Sequence, residues 1–241
     1  MLTCYSVPRR FEPPFDTIQQ NAVRSWQALG AQVILLGDDE TAGWAARLGV
    51  EYAPVETDAD GVPFVRAAVE AGERLARYAT RCFLNTDNIA LPSFGAALAA
   101  LAGLPAFVAI GRRADMAVSA VVTDFGPAFE ARVRTESRPG GSTGMDYFAY
   151  RGVSLADGLP ADFRIGRDFY DNWLVRHWAQ SGVPLVDLSA WLTIVHQDHP
   201  RKPTATPEQM ARNRALADLG GVRWGFAQAT HRLTAEGVKP R

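Results

Sequence analysis

The chain has 241 residues, 47% of them apolar and 21% charged, the balance of a folded globular protein rather than a disordered one. Lys and Arg total 25 against 26 Asp and Glu, a formal charge of -1, which argues against a dedicated nucleic-acid binder with its basic excess or stripe. No stretch approaches the length of a membrane span and no long apolar h-region opens the chain, so the expectation is one domain with a cytoplasmic location.

Taken in order, Leu2 to Val7 reads as a first strand closed by Pro8. Thr17 to Leu29 reads as a helix, with Ile18, Ala22, Trp26 and Leu29 at helical spacing, Asp16 or Thr17 as cap and Gly30 as stop. Gln32 to Leu36 is a continuous apolar run suited to a buried central strand. A short helix from Thr41 to Leu48 and a strand from Val50 to Val55 follow. Pro63 to Tyr78 reads as a helix with proline near its first turn, Arg81 to Leu84 as a strand, Pro92 to Leu101 as a helix and Pro105 to Ile110 as a strand. This alternation predicts a parallel sheet with covering helices.

Beyond residue 111 glycine, proline and aromatic residues become more frequent. Gly140 to Gly144 is a glycine-rich loop, Asp146 to Tyr150 a strand, Asp168 to Gln180 an aromatic-rich helix and Pro184 to Leu188 a strand. Trp191 to Val195 is an apolar run, Pro207 to Asp218 a helix and Trp224 to Leu233 a second helical stretch. The expected class is α/β: one domain, a mostly parallel central sheet flanked by helices, and a more irregular second half. Residues 1–110 form its nucleotide-type half, 111–200 its substrate half and 201–241 a helical tail. Cys4 and Cys82 sit in strand-like runs without metal-type spacing and read as buried free thiols.

Ligands of open α/β sheets bind beyond the carboxyl ends of the strands. Two polar clusters fall there, Asp38-Asp39-Glu40 and Asn85-Thr86-Asp87. Either could be a solvated turn or a helix cap. A carboxylate such as Asp87 at a strand end can instead hold a divalent cation whose other ligands are phosphate oxygens, and Mg²⁺ or Mn²⁺ suits such ligands. His196 is a partner far along the chain. With His199 it forms H-x-x-H, a weak zinc signal without the glutamate of H-E-x-x-H, and the plain alternative is two surface histidines beside Pro200. Arg112 and Arg113 follow the strand ending at Ile110 and could neutralise a diphosphate. Arg167 and Asp171 open the aromatic helix, where an acid could take a proton from a hydroxyl or simply meet the helix dipole. The sequence carries no G-x-G-x-x-G after its first strand, no P-loop and no G-x-S-x-G elbow.

Several pieces together carry a resemblance: Gln20-Asn21-Ala22 with Ser25-Trp26, VILLGDDE from Val33, LNTDNIAL from Leu84, AIGRRAD from Ala109, MDYFAY from Met145, IGRDFYDNWL from Ile165 and VHQDH from Val195. Over roughly residues 2 to 200 the chain resembles nucleotide-sugar-dependent glycosyltransferases of the GT-A fold, close to soluble bacterial and plant glycosyltransferase-like proteins. The resemblance implies transfer of a sugar from a nucleoside-diphosphate sugar, UDP by frequency in the fold group, to a hydroxyl acceptor such as a glycan or glycolipid. It places Asn85-Thr86-Asp87 at the D-x-D position that binds Mn²⁺ or Mg²⁺ with the donor diphosphate, an asparagine standing where the first acid is usual. It implies Asp87 and His196 as metal ligands, with His196 a better match than His199, and Asp38 or Asp39 on the base or ribose. Arg112 or Arg113 would face the departing diphosphate, and Asp171 with Arg167 would be catalytic. The same residues would serve a metal-dependent nucleotidyltransferase or phosphohydrolase, and Asn85 would suit a nucleotide-sugar-binding protein without turnover.

Overall fold

The structure, a computed structural model, describes residues 1–142, 144–200 and 205–241. Strand β1 (Leu2–Ser6) is buried along its whole length. Helix α1 (Phe15–Ala28) starts two residues earlier than its apolar spacing indicates, with Pro14 rather than Asp16 or Thr17 at the N-cap position. Strand β2 (Gln32–Gly37), helix α2 (Asp39–Leu48) and strand β3 (Glu51–Pro54) follow. Helix α3 (Val65–Leu75) leads to β4 (Thr80–Leu84), the short β5 (Asn88–Ala90), α4 (Pro92–Ala100) and β6 (Phe107–Ile110).

The second half contains β7 (Ala114–Met116), α5 (Pro127–Glu136), β8 (Arg138–Pro139) and β9 (Tyr147–Arg151). Helix α6 (Tyr170–Gln180), β10 (Leu185–Asp187), β11 (Ile194–Gln197) and α7 (Pro207–Ala217) come next. The expected helix over Trp224 to Leu233 is not formed. A single 3₁₀ turn at Phe226–Gln228 precedes a hairpin of β12 (His231–Thr234) and β13 (Gly237–Pro240). Pairing of β12 with β10 on one side and β13 on the other satisfies its backbone, a tertiary reward that local helix preference does not report. Thr143 of the glycine-rich loop and residues 201–204 of the tail lie outside the described residues.

The main sheet has nine strands in the order β13-β12-β10-β6-β9-β4-β1-β2-β3. Its β1, β2, β3 and β4 pair in parallel, as do β6, β10 and β12. Strand β9 lies antiparallel between β4 and β6 and joins the two parallel blocks. Cys4 and Cys82 face each other in register on β1 and β4, both buried free thiols. One apolar cluster packs α3 and α6 on one face of the sheet, and a second packs α1 and α4 on the other. No helix among the described residues is long and apolar enough to cross a membrane.

A second sheet, β5-β11-β7-β8, has its own small core around Ile89, Phe125, Phe129 and Val195. Sequence periodicity does not show this sheet, because its strands run two to four residues and α5 buries only Phe129 and Val133. The chain crosses from the main sheet to the second through residues 85–87, which lie between β4 and β5.

Helix α1 holds that crossing in place with polar groups on its buried face. Gln197, fully buried at the end of β11, donates from Nε2 to the Ile18 carbonyl at 2.8 Å. Its side-chain oxygen accepts from Asn21 at 2.9 Å, and its backbone N–H donates to the Asp87 carbonyl at 3.0 Å. Asn21 also donates to the Ala120 carbonyl and accepts from the Val122 N–H. Trp26 donates to the Asn88 carbonyl, and Ser25 accepts from the Ala90 N–H.

Gln197→Leu strips partners from buried amide groups and is expected to cost about 2–3 kcal/mol, read from urea unfolding. Adding Asn21→Leu should cost less than the sum of the two single changes, because each has already broken the same bond. Strict additivity would show that the two amides do not act as one unit.

Candidate functional site

Asp87 leaves the carboxyl end of the parallel strand β4, where strand geometry delivers side chains to the mouth of the sheet. Strand β11 of the second sheet brings His196 opposite, paired with Asn88 in the register. Two imidazole nitrogens then converge on one carboxylate oxygen. His199 Nε2 lies 3.3 Å and His196 Nε2 3.6 Å from Asp87 Oδ2. The ligand atoms of Asp87, His196 and His199 all lie within 4.8 Å of one another.

Acceptors face the far sides of both rings. His199 Nδ1 is 3.1 Å from the Pro200 carbonyl. His196 Nδ1 is 3.3 Å from Asp115 Oδ1 on β7, without forming a hydrogen bond. Each imidazole therefore has an oxygen on both sides, Asp87 at Nε2 and a second oxygen at Nδ1. One carboxylate oxygen and two imidazole nitrogens are a donor set that fits a dication. Burial pushes the Asp87 carboxyl up, but hydrogen bonds and charge from His196 and His199 overcome this and hold it below the usual carboxylate range. The hydrogen bond to Asp87 raises the His199 imidazole against the opposing effect of burial.

Arg113 ties the surrounding acids together, with NH1 at 2.7 Å from Asp146 Oδ2 and Nε at 2.8 Å from Asp115 Oδ1. Asn85 donates to the other Asp146 oxygen at 3.1 Å. Gly111, two residues before Arg113, packs where a Cβ would collide with the Tyr147 hydroxyl and press on Leu188. Asp146 is buried, and desolvation raises its pKa despite the Arg113 guanidinium.

A cleft of about 690 Å³ opens beside Asp87, lined by Arg9, Arg10, Gln19, Thr86, Arg167 and Tyr170 among others. Gln19 fastens the Arg9 loop to the Asp87 segment. Its Oε1 accepts from the Arg9 N–H at 2.7 Å and from the Thr86 hydroxyl at 2.9 Å. Arg167 is buried, donates to Gln209 of α7 at 2.7 Å and keeps an unpartnered Nε. Gln209 in turn reaches Asp60 at 3.1 Å, closing that side of the cleft.

The remaining predicted residues divide. Asp38 is exposed and caps α2, accepting from the Thr41 N–H at 3.0 Å and its hydroxyl at 3.1 Å. Asp39 is exposed in the first turn of the same helix, and neither acid lines the cleft. Arg112 is exposed and outside the cleft lining, its backbone N–H donating to Ser189 at 2.8 Å. Asp171 is half-buried at the start of α6 and accepts from the Met145 N–H at 3.3 Å. Desolvation pushes its carboxyl up to about 6. The preceding Phe169 holds a left-handed φ of 75°, a costly backbone state for a bulky residue and one often found beside functional groups.

Five participants escaped sequence reading: His199 as a full partner, Asp115, Asp146, Arg9 and Arg10. Asp115 and Asp146 lie inside the motifs AIGRRAD and MDYFAY, and the H-x-x-H spacing contains His199. Only the meeting of two sheets makes them neighbours.

No protein-family model and no curated protein matches the sequence. Solved structures do share the fold. Residues 1–349 of S. aureus TarS, in complex with UDP-GlcNAc, align over 90% of this chain and 65% of that chain, with TM-score 0.59 and 12% identity. A longer S. aureus TarS structure aligns over 90% of this chain and 39% of that one, with TM-score 0.55 and 13% identity. The inositol-1-phosphate CTP transferase from T. maritima aligns with TM-score 0.48 and 12% identity over 88% of this chain and 96% of its own. This chain therefore spans less than two thirds of the TarS chains it matches. Its architecture is the α/β fold of GT-A nucleotide-sugar transferases.

The raised Asp171 carboxyl makes a signed prediction. Its folded pKa of about 6 lies above the ordinary 3.8, so folding is favoured through this group below the lower value and that advantage is lost as pH rises through about 6. Asp171→Asn should remove that slope, so that the difference in urea midpoint between wild type and variant changes from about pH 4 to about pH 7. A constant difference would mean the carboxyl is not perturbed.

Proposed function

We propose that the chain is a glycosyltransferase that moves a sugar from a nucleoside-diphosphate sugar to a hydroxyl acceptor. The observation that carries this reading is the convergence of Asp87, His196 and His199 beside a cleft that Arg9, Arg10 and Arg167 also line. An acidic and imidazole cluster next to three guanidinium groups suits a ligand that brings both a cation and phosphate charge. Asp87, His196 and His199 would hold the ion. A dication there would neutralise charge developing on the departing diphosphate. The shared fold with TarS bound to UDP-GlcNAc supports a UDP-sugar as the first donor to test.

Arg9 and Arg10 would bind the diphosphate from the loop after β1, which Gln19 holds against Thr86. Arg113 takes a positioning role, because both of its ion pairs are to acids around the cluster. The acceptor oxygen would attack the anomeric carbon as the bond to the diphosphate breaks, with the electron pair leaving on phosphate. With inversion, the acceptor proton would pass to Asp171, whose carboxyl at about 6 is ionised at neutral pH yet still basic. With retention, the departing phosphate would take the proton, and Asp171 would position the acceptor.

The loop after β1, Pro8 to Pro14, contains no glycine, whereas nucleotidyltransferases commonly use a glycine-rich loop at that place. Product analysis separates the readings. Incubation with UDP-sugars and a panel of glycan and glycolipid acceptors should release UDP in step with a glycosylated product. Asp87→Ala should lower kcat/KM by at least about 100-fold, the scale of losing a main electrostatic stabiliser. Pyrophosphate formed from a nucleoside triphosphate and a sugar phosphate would establish the nucleotidyltransferase reading instead. Saturable donor binding with no transfer to any acceptor would leave a binding protein.

A further inference from the structure

Two arginines of the segment that leads into α6 are buried, Arg164 and Arg167, and their surroundings differ. Arg164 donates from Nε to Asp58 Oδ2 at 2.5 Å, so a carboxylate matches its charge. Arg167, 9% exposed, pairs with no acid among the described residues. Its NH2 donates to the Gln209 side-chain oxygen at 2.7 Å and its NH1 to the Ile165 carbonyl at 3.3 Å, both neutral acceptors, and its Nε has no partner. The two acids whose charge reaches it are engaged elsewhere, Asp58 by Arg164 and Asp60 by Gln209. Burial pushes the Arg167 guanidinium below its usual value.

A guanidinium taken out of water without a counter-charge is costly. A ligand that brings the missing charge removes that cost, and Arg167 is placed to meet one, because it lines the cleft with Gly166 and Tyr170. Gly166 turns the chain just ahead of it at φ 70°, a left-handed state that favours glycine. Arg167 keeps N–H groups beyond those bound to Gln209 and Ile165, and anionic oxygens accept from a guanidinium more strongly than neutral ones do.

The donor diphosphate is the less suitable anion. Arg9 and Arg10 already face the cleft from the loop after β1, which Gln19 ties to Thr86 beside Asp87. Arg167 is fixed to a different wall, through Gln209 of α7 and from there Asp60. Four residues beyond it in the chain is Asp171, which in the proposed transfer takes the acceptor proton or positions the acceptor. We propose that Arg167 binds an anionic group, phosphate or carboxylate, on the acceptor, so that acidic acceptors are preferred to neutral ones. The proposal builds on the glycosyltransferase reading, but anion binding at Arg167 is also measurable without transfer.

Transfer from a UDP-sugar is compared for methyl glucoside, its phosphate ester and methyl glucuronide. One or both charged acceptors should exceed methyl glucoside in kcat/KM at least about tenfold, the low end expected for a hydrogen bond to a charged group. Arg167→Gln should abolish that preference through acceptor KM, Arg167→Lys should keep part of it, and both should leave the donor KM unchanged. Equal kcat/KM for all three acceptors, a higher donor KM with the preference intact, or a drop of equal size for charged and neutral acceptors would each overturn the proposal. A second measurement needs no acceptor sugar. In the full chain, isotope-labelled at arginine Nε and saturated with UDP, inorganic phosphate or acetate should move the Nε–H signal that Arg167→Lys lacks. A response to phosphate alone assigns a phosphorylated acceptor, and a response to acetate alone a carboxylate-bearing one. No response to either ion refutes anion binding at Arg167. A chain that binds no UDP or UDP-sugar would instead remove the glycosyltransferase reading, and the Arg167 signal would then be read without nucleotide.

Discussion

The Gln197 amide is the constraint on which the site depends. It joins β11 to two distant pieces of chain: the Asp87 carbonyl, and α1 through the Ile18 carbonyl and the Asn21 side chain. Its neighbours His196 and His199 carry the imidazoles, so anchoring this one residue sets where both rings can lie. A buried amide is stabilising only when its groups are paired, and this one is paired through both side-chain atoms and its backbone N–H. The same helix face fixes Asn88 and Ala90 through Trp26 and Ser25. Helix α1 thus serves as the clamp between two sheets, and its buried polar residues are the means.

Around that clamp the charges are arranged in layers. Asp87 is flanked by two imidazoles, and Asp115 and Asp146 share the Arg113 guanidinium. Isolated burial of any of these acids would be costly, and mutual pairing offsets that cost. A cleft beside such a cluster, with arginines on its other walls, presents positive and negative charge to a ligand at once. A metal-assisted transfer of a phosphorylated leaving group needs that combination.

The main parallel strands were legible because each is a buried apolar run followed by a turn signal, and Asp87 stood out as the acid at the end of one of them. The small sheet was not legible, since strands of two to four residues carry no period of their own. Asp38 shows the opposite limit. Its sequence position after β2 fits a ligand contact and a helix cap equally well, and the hydrogen bonds from Thr41 put it at the cap of α2. The stretch from Trp224 to Leu233 reads locally as helix, and β12 forms because β10 offers it a partner.

By itself the sequence determined the α/β alternation, the buried thiols, the strand-end position of Asp87 and the presence of two histidines three residues apart. These follow from local periodicity and spacing, which are properties of neighbouring residues. Tertiary structure alone decided which distant groups meet. It placed both histidines on one carboxylate, brought Asp146 to Arg113 and Asp115 to His196, and sent Arg112 to the surface. The physical reason is that a second sheet and a helix with a polar inner face fold residues 85–88, 113–116 and 194–199 together. Contacts between segments about 30 to 110 residues apart leave no periodic trace in the chain.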